Sequence, residues 1–186
     1  MKGKENNLQI NIKKLKEKSE DEFEKFFKNY LNRIYTVVYR VVKDPAAAED
    51  LTSEVMMKVY NGINKFKGQS RLSSWVYRIA YNHAVSYLRR QKYTESIDVY
   101  DMTIKDESEK HLDYLEKEEL SDYIKKKLME LPEDYRVALT LYHFKEMPYK
   151  EIAYTMGINI GTVKTYIHRG RNELKELLEE VVREDK

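Results

Sequence analysis

The chain has 186 residues, 41% hydrophobic and 35% charged, with a net charge of +2. Two small cores suit this length and composition better than one large one, and a charge sum so near zero means that partners must be judged from where the charges lie. The lack of cysteine excludes disulfides, thiol nucleophiles and cysteine-based zinc sites; a polar N-terminus and no apolar run of about 18 residues predict a soluble, cytoplasmic chain without export signal or membrane span.

Six glycines and three prolines punctuate apolar stretches that recur every three and four residues, which predicts an all-α architecture. The first twenty residues read as a charged, frayed extension. From Glu22 to Val42 the side chains of Phe23, Phe26, Phe27, Tyr30, Leu31, Ile34, Tyr35, Val38 and Val41 form one continuous stripe that needs a partner surface. Asp44 and Pro45 end that helix and begin the next, as N-cap and first helical residue. The second helix is predicted from about Ala46 to Tyr60, with Leu51, Val55 and Val59 inward, ending near Gly62. A third starts around Ser70 to Leu72, carries Trp75, Val76, Ile79 and Leu88, and ends about Arg90. These three helices can close on one another as a first domain, 21–93.

Between Thr94 and Asp122, eleven acidic residues face three lysines. The first half of this stretch lacks apolar periodicity and is predicted to be a linker, 94–119. A second domain, 120–186, has helices separated by Leu131-Pro132, Met147-Pro148 and Gly157. Its expected core is Tyr135, Leu139, Leu141, Ile152, Met156, Val163, Ile167 and Leu174.

The segment YKEIAYTMGINIGTVKTYIHRGR, Tyr149 to Arg171, has the layout of a helix-turn-helix. Such a unit needs a small residue where its helices nearly touch, a residue tolerant of positive φ in the turn, and apolar anchors behind the second helix. Ala153, Gly157 and Val163 meet those needs, with Ile152, Met156 and Ile158 completing the apolar side. The second helix would enter the major groove, presenting Gly161, Thr162, Lys164, Thr165, Tyr166, His168 and Arg169, with Arg171 near phosphate. Three basic and no acidic residues lie between Gly157 and Arg171, a basic face that a hairpin used only for packing would not need.

A second feature is the stretch from Asn61 to Thr94, which contains no acidic residue. Lys65, Lys67, Arg71, Arg78, Arg89, Arg90 and Lys92 are interleaved there with Phe66, Trp75, Tyr77, Tyr81, Tyr87 and Tyr93. Phosphates favour such a surface through counterion release, and aromatic rings can stack on single-stranded bases. A run of bases is also compatible with a plain solvated face, and Trp75 with a core position. The four histidines, His83, His111, His143 and His168, stand apart from one another, and neither an HExxH motif nor a Gly-rich phosphate loop occurs. No catalytic residue, metal site or cofactor is expected, so the chain does not read as an enzyme.

Together these segments resemble the extracytoplasmic-function (ECF) group of the sigma-70 family of RNA polymerase sigma factors, which keeps only sigma regions 2 and 4. AEDLTSEVMMKVY (Ala48 to Tyr60) is similar to the family's AEDLxQEVFLRAY, and SSWVYRIAYNHAVSYLRR (Ser73 to Arg90) to SWLYRIAxNxxxDxLRR. LPEDYRVALTLYHFKEMPYKEIAYTMGINIGTVKTYIHRGRNELKELL (Leu131 to Leu178) contains GTVKTYIHRGR, which departs little from GTVKSRIHRAR. The likeness runs collinearly from about Phe23 to Leu178.

The resemblance implies two small helical domains, sigma region 2 and sigma region 4, joined by the acidic linker. It implies that Asp50, Glu54 and Lys58 bind the coiled coil of the largest subunit of core RNA polymerase; the residues alone allow a solvent face with a Glu54 to Lys58 helix pair. Capture of the single-stranded minus-10 promoter element would fall to Lys65, Lys67, Arg71, Trp75, Arg78 and Asn82, where Asn82 is either a base-edge contact or a plain surface residue. The minus-35 element would be held as duplex by Thr162, Lys164, Thr165, Tyr166, His168, Arg169 and Arg171. The implied partners are core polymerase, promoter DNA and a membrane-anchored anti-sigma factor, and the implied role is promoter opening for a stress or signal-responsive regulon. Two positions depart from the pattern: Ser53 stands where Gln is common and Tyr166 where Arg is frequent. A duplex-binding regulator, or a module that only packs against a helical partner, would explain part of the sequence but not all three segments.

The family's linker passes through the basic channel of the polymerase, which lets the acidic stretch imitate nucleic acid, although solubility alone would also favour such charge. Neutralising the acidic side chains between Glu95 and Glu109 is expected to impair early RNA extension while promoter binding is retained. Abortive-product patterns on gels test this, and unchanged patterns would reject it.

Overall fold

The computed structural model describes residues 10–95 and 122–184, and every described element is helical. In chain order these are α1 (Ile12–Lys16), α2 (Glu20–Val42), α3 (Pro45–Gly62), a short 3-10 turn (Ile63–Lys65), α4 (Leu72–Glu95), α5 (Asp122–Glu130), α6 (Glu133–His143), α7 (Tyr149–Met156) and α8 (Ile160–Glu184). The acidic linker expected from the sequence lies outside the described residues, apart from the last turn of α4, which runs through Thr94 and Glu95.

Local chemistry accounts for the helix ends. Glu20, Asp21 and Glu22 occupy the first turn of α2, where carboxylates complement the helix dipole. Its end is set by Lys43, left-handed at φ 62°. Asp44 then accepts the Ala47 N–H at 3.1 Å and Pro45 opens α3, as the sequence predicts.

Two expectations are corrected. The first twenty residues are not a frayed extension throughout: Asn11 caps α1, its backbone N–H donates to Glu22 at 2.7 Å, and Leu15 is fully buried. A single apolar side chain reaching the core is enough to anchor five helical residues. The stripe on α2 is also covered over less of its length than expected, because Phe27 and Leu31 are 44% and 39% exposed. Both stand before the C-terminal half of α2, where every residue from Ile34 to Val41 is buried.

α2, α3 and α4 pack as one helical group and α6, α7 and α8 as another, with α5 against α8. The two groups do not stand apart: α2 packs on α6 and α4 on α7. At the first of these junctions Arg136 is buried. Its Nε donates to the Arg40 carbonyl at 2.5 Å, and its Nη1 to the carbonyls of Leu131 at 2.6 Å and Met129 at 3.2 Å. Arg136 therefore ties the end of α2 to the turn between α5 and α6.

α8 approaches α6 closely at Gly170, where an added Cβ would come within 3.0 Å of the Tyr135 Cβ. Glycine there, where the related pattern has alanine, lets the two backbones meet without displacing Tyr135. For Arg136→Leu, which strands two buried carbonyls and one partly buried, a loss of about 3 kcal/mol is expected in denaturant unfolding. A loss under about 0.5 kcal/mol would remove Arg136 from its structural role.

Candidate nucleic-acid interface

Pro148 precedes α7, and Gly157, left-handed at φ 70°, ends it; the N–H groups of Gly157 and Ile158 both return to the Ala153 carbonyl. That closure turns the chain sharply into α8, whose first turn is capped by Asn159 accepting the Thr162 N–H at 2.8 Å. Ile152, Ala153, Met156, Val163 and Ile167 are buried behind the turn. The helix-turn-helix read from the sequence is thus formed, with its small residue, turn glycine and anchors in the expected places.

The outer face of α8 exposes Gly161, Lys164, Thr165, His168, Arg169 and Arg171, with Thr162 partly exposed beside them. Tyr166 does not join them. Three residues after Val163 it turns inward, its ring 5.5 Å from that of Tyr135 and its hydroxyl bonded to Asp134. Burial, then the charge of Asp134, raises its pKa above the ordinary tyrosine value. Tyr166 is therefore partly buried between the recognition face and α6. Its i+3 spacing from Val163 is the sequence signal that identifies it as inward.

Arg171 is held at the edge of this face. Its guanidinium lies 5.1 Å from the Tyr142 ring centroid, and its Nε and Nη2 are 3.3 and 3.2 Å from the His143 Nε2. A guanidinium can only donate, so that imidazole nitrogen must accept and His143 must be neutral in this contact. Burial and then the Arg171 charge lower the His143 pKa from its ordinary 6.5.

On the other helical group, Lys65, Lys67 and Asn82 are exposed. Trp75 is partly buried, tilted against Phe66 at 5.4 Å and covering Gly62. Of the two readings left open for it, packing accounts for most of its surface. Arg71 and Arg78 reach α7: the Arg71 Nε is 3.0 Å from Glu151, and the Arg78 Nη1 donates to the Tyr154 carbonyl at 2.7 Å while stacking on its ring at 4.4 Å. Ser74 donates to the same Glu151 carboxylate at 2.5 Å. Glu151, Ser74 and Tyr154 escaped the sequence analysis because the residues in each contact lie 76 or more positions apart.

Asp50, Glu54 and Lys58 are exposed along one face of α3. Met57, 59% exposed on the same ridge, was missed, although its i+3 spacing from Glu54 marks it. The Glu54 carboxylate pairs with the His83 Nε2 on α4, at 2.6 Å, in place of the helix pair with Lys58 considered from sequence. Among the described residues, no cluster of His, Asp or Glu is placed to hold a metal and no helix is long and apolar enough to cross a membrane.

Comparison with known proteins matches residues 26–94 to the Sigma-70 region 2 family and residues 121–174 to the Sigma-70 region 4 family. The ECF RNA polymerase sigma factor SigW of Bacillus subtilis is 32% identical over 180 residues, which are 91% of this chain and 96% of SigW. The ECF RNA polymerase sigma-E factor of Escherichia coli is 26% identical over 94% of this chain and 96% of its own. Among solved structures, the sigma factor RpoE in complex with the anti-sigma factor NepR, from Bartonella quintana, superposes with a TM-score of 0.66 at 26% identity. That match covers 86% of this chain and 98% of RpoE.

The His143 contact has a testable pH dependence. A histidine whose folded pKa is depressed binds its proton more readily when unfolded, so stability falls as pH drops below 6.5 toward the lowered folded value. Melting temperatures measured between pH 7.5 and about 5 are expected to fall less steeply for His143→Gln than for the native chain. Parallel curves would exclude this contribution.

Proposed function

This chain belongs to the ECF group of the sigma-70 family, and on that premise we propose that it binds core RNA polymerase, recognises the minus-35 and minus-10 elements and promotes promoter melting. Family members are transcription regulators, and in this reading catalysis rests with the polymerase.

The observation that carries the reading is the exposed outer face of α8 from Gly161 to Arg171, free of acidic residues, behind a closed helix-turn-helix. Lys164, Thr165, His168 and Arg169, with Thr162 beside them, would meet base edges in the major groove, while Arg171, steadied by Tyr142 and His143, would meet phosphate. Lys65, Lys67, Arg71 and Arg78 would track the backbone of the melted minus-10 strand. Asn82 has the donor and acceptor that a base edge requires. Flipping a base costs a few kcal/mol of stacking that such a site has to restore. Asp50, Glu54, Met57 and Lys58 on α3 form the surface for core polymerase, with Met57 adding apolar contact to a charged ridge.

RpoE of Bartonella quintana was solved with an anti-sigma factor, and a partner of that class, anchored in the membrane, would hold this chain inactive until a signal releases a regulon. A regulator that binds duplex DNA alone would need α7 and α8 but has no use for the exposed ridge of α3.

Transcription reconstituted from core polymerase, this chain and genomic promoter fragments tests the reading: promoter-specific transcripts should appear only when both proteins are present. Within that assay Asp50→Lys combined with Glu54→Lys is expected to lower initiation at least about tenfold by weakening core binding. Lys164→Ala and Arg169→Ala should each weaken holoenzyme binding to duplex promoter DNA and reduce the salt slope by about one if they meet phosphate, or cost about 1–3 kcal/mol at one base pair if they meet a base. Promoter binding unchanged in both variants would refute the assignment of this face.

A further inference from the structure

We propose that His83 is a positioning residue for polymerase docking: it holds the Glu54 carboxylate in the orientation that the partner meets and keeps it from Lys58. This role rests on the sigma reading, in which the α3 ridge meets core polymerase, and brings a residue of α4 into that docking.

The two side chains lie in different environments. That of His83 is 10% exposed, whereas that of Glu54 is 58% exposed. α3 and α4 pack against each other, and His83 stands on α4 beside the fully buried Ala84. Packing therefore fixes the imidazole, and its Nε2 lies 2.6 Å from the Glu54 Oε2. An ionised carboxylate only accepts, so the ring N–H donates, and it can do so with the ring neutral or charged. The bond uses one carboxylate oxygen, and the group retains capacity for further donors at the other.

Without His83 the local chemistry of α3 points elsewhere. Glu54 and Lys58 stand at i and i+4, the spacing and order at which a helix pairs its own charges. Such a pair would offer a partner a neutralised ridge and two side chains to separate before docking. A glutamate on a helix surface also samples several rotamers, and ordering it on binding lowers affinity. The imidazole removes both penalties in the free chain. Its contact spans 29 positions and two helices, so the packing of α4 on α3 sets the carboxylate, which the rotamers of α3 alone would leave loose. Asp50 and Met57, exposed on the same ridge, then flank a carboxylate of defined place, and Lys58 is left for the partner.

The test is the anisotropy of the full chain, labelled with fluorescein at its N-terminus and titrated with purified core polymerase. His83→Phe keeps an aromatic ring in the packed position and removes the donor. It is expected to weaken binding about fivefold, the ratio for a carboxylate that occupies its docking orientation about one-fifth of the time. His83→Leu, smaller and likewise without a donor, carries the same expectation should the phenylalanine variant fail to fold by circular dichroism. His83→Gln, which returns an N–H donor, is expected to restore affinity to within about twofold of native. In a Glu54→Ala background His83→Phe is expected to change affinity by less than about twofold, because the group it positions is gone. Native affinity in the variants without a donor, an equal loss in His83→Gln, or a fivefold loss that persists in the Glu54→Ala background would each overturn the proposal. Any of these beside tight binding of the native chain leaves the sigma reading intact. A native chain that does not bind core polymerase overturns that reading and this role with it.

Discussion

A guanidinium with no carboxylate in hydrogen-bond contact among the described residues joins the two helical groups of this molecule. Arg136 sits where the carbonyl-rich end of α2 meets that of α5, and its three contacts are all to backbone oxygens. Helix C-termini leave carbonyls without intrahelical partners and carry the negative end of the dipole, so two such ends make a pocket suited to a cation. Burying the charge costs several kcal/mol, and charge-assisted bonds of about 1.5–3 kcal/mol each offset it. The geometry of that pocket fixes how α6 lies on α2, and hence which face of the helix-turn-helix is left outward.

With α6 fixed, the remaining contacts sort themselves by charge. Glu133 and Asp134 at the start of α6 face Tyr81 of α4, whose hydroxyl is pushed up to about 12, by burial first and then by the two carboxylates. Asp134 also takes the Tyr166 hydroxyl. The recognition helix therefore shows one face to solvent, with its bases, and another to the first helical group, with its aromatic and apolar residues. Tyr166 thus serves both packing on Tyr135 and a hydrogen bond to Asp134.

Much of the site was legible because it depends on short-range rules. The Asp44-Pro45 boundary, the left-handed glycine at 157 and the anchors Val163 and Ile167 follow from turn stereochemistry and a 3.6-residue period, and each acts within a few residues of itself. The exposed bases of α8 followed once its inward face was known. Phe27 and Leu31 were assigned to the core because periodicity gives the direction of a stripe but not how far along the helix other elements cover it, and α2 is buried throughout only from Ile34 to Val41. Met57 and the inward turn of Tyr166 could have been found by counting three residues along a ridge.

By itself the sequence determined that the chain is helical, where the α2 to α3 boundary and the turn before α8 fall, and which segments carry a surplus of positive charge over an acid-free length. Those properties are local, and a backbone hydrogen bond or a cap is decided by neighbours within one turn. Only the tertiary structure decided that Arg71, Ser74 and Arg78 meet Glu151 and Tyr154, that His83 rather than Lys58 takes Glu54, and that the Nε and Nη1 of buried Arg40 find no partner among the described residues. Such contacts join residues 29 to 80 positions apart. Periodicity along one helix holds no information about which face of a distant helix arrives opposite it, because that choice is settled by the packing of the whole.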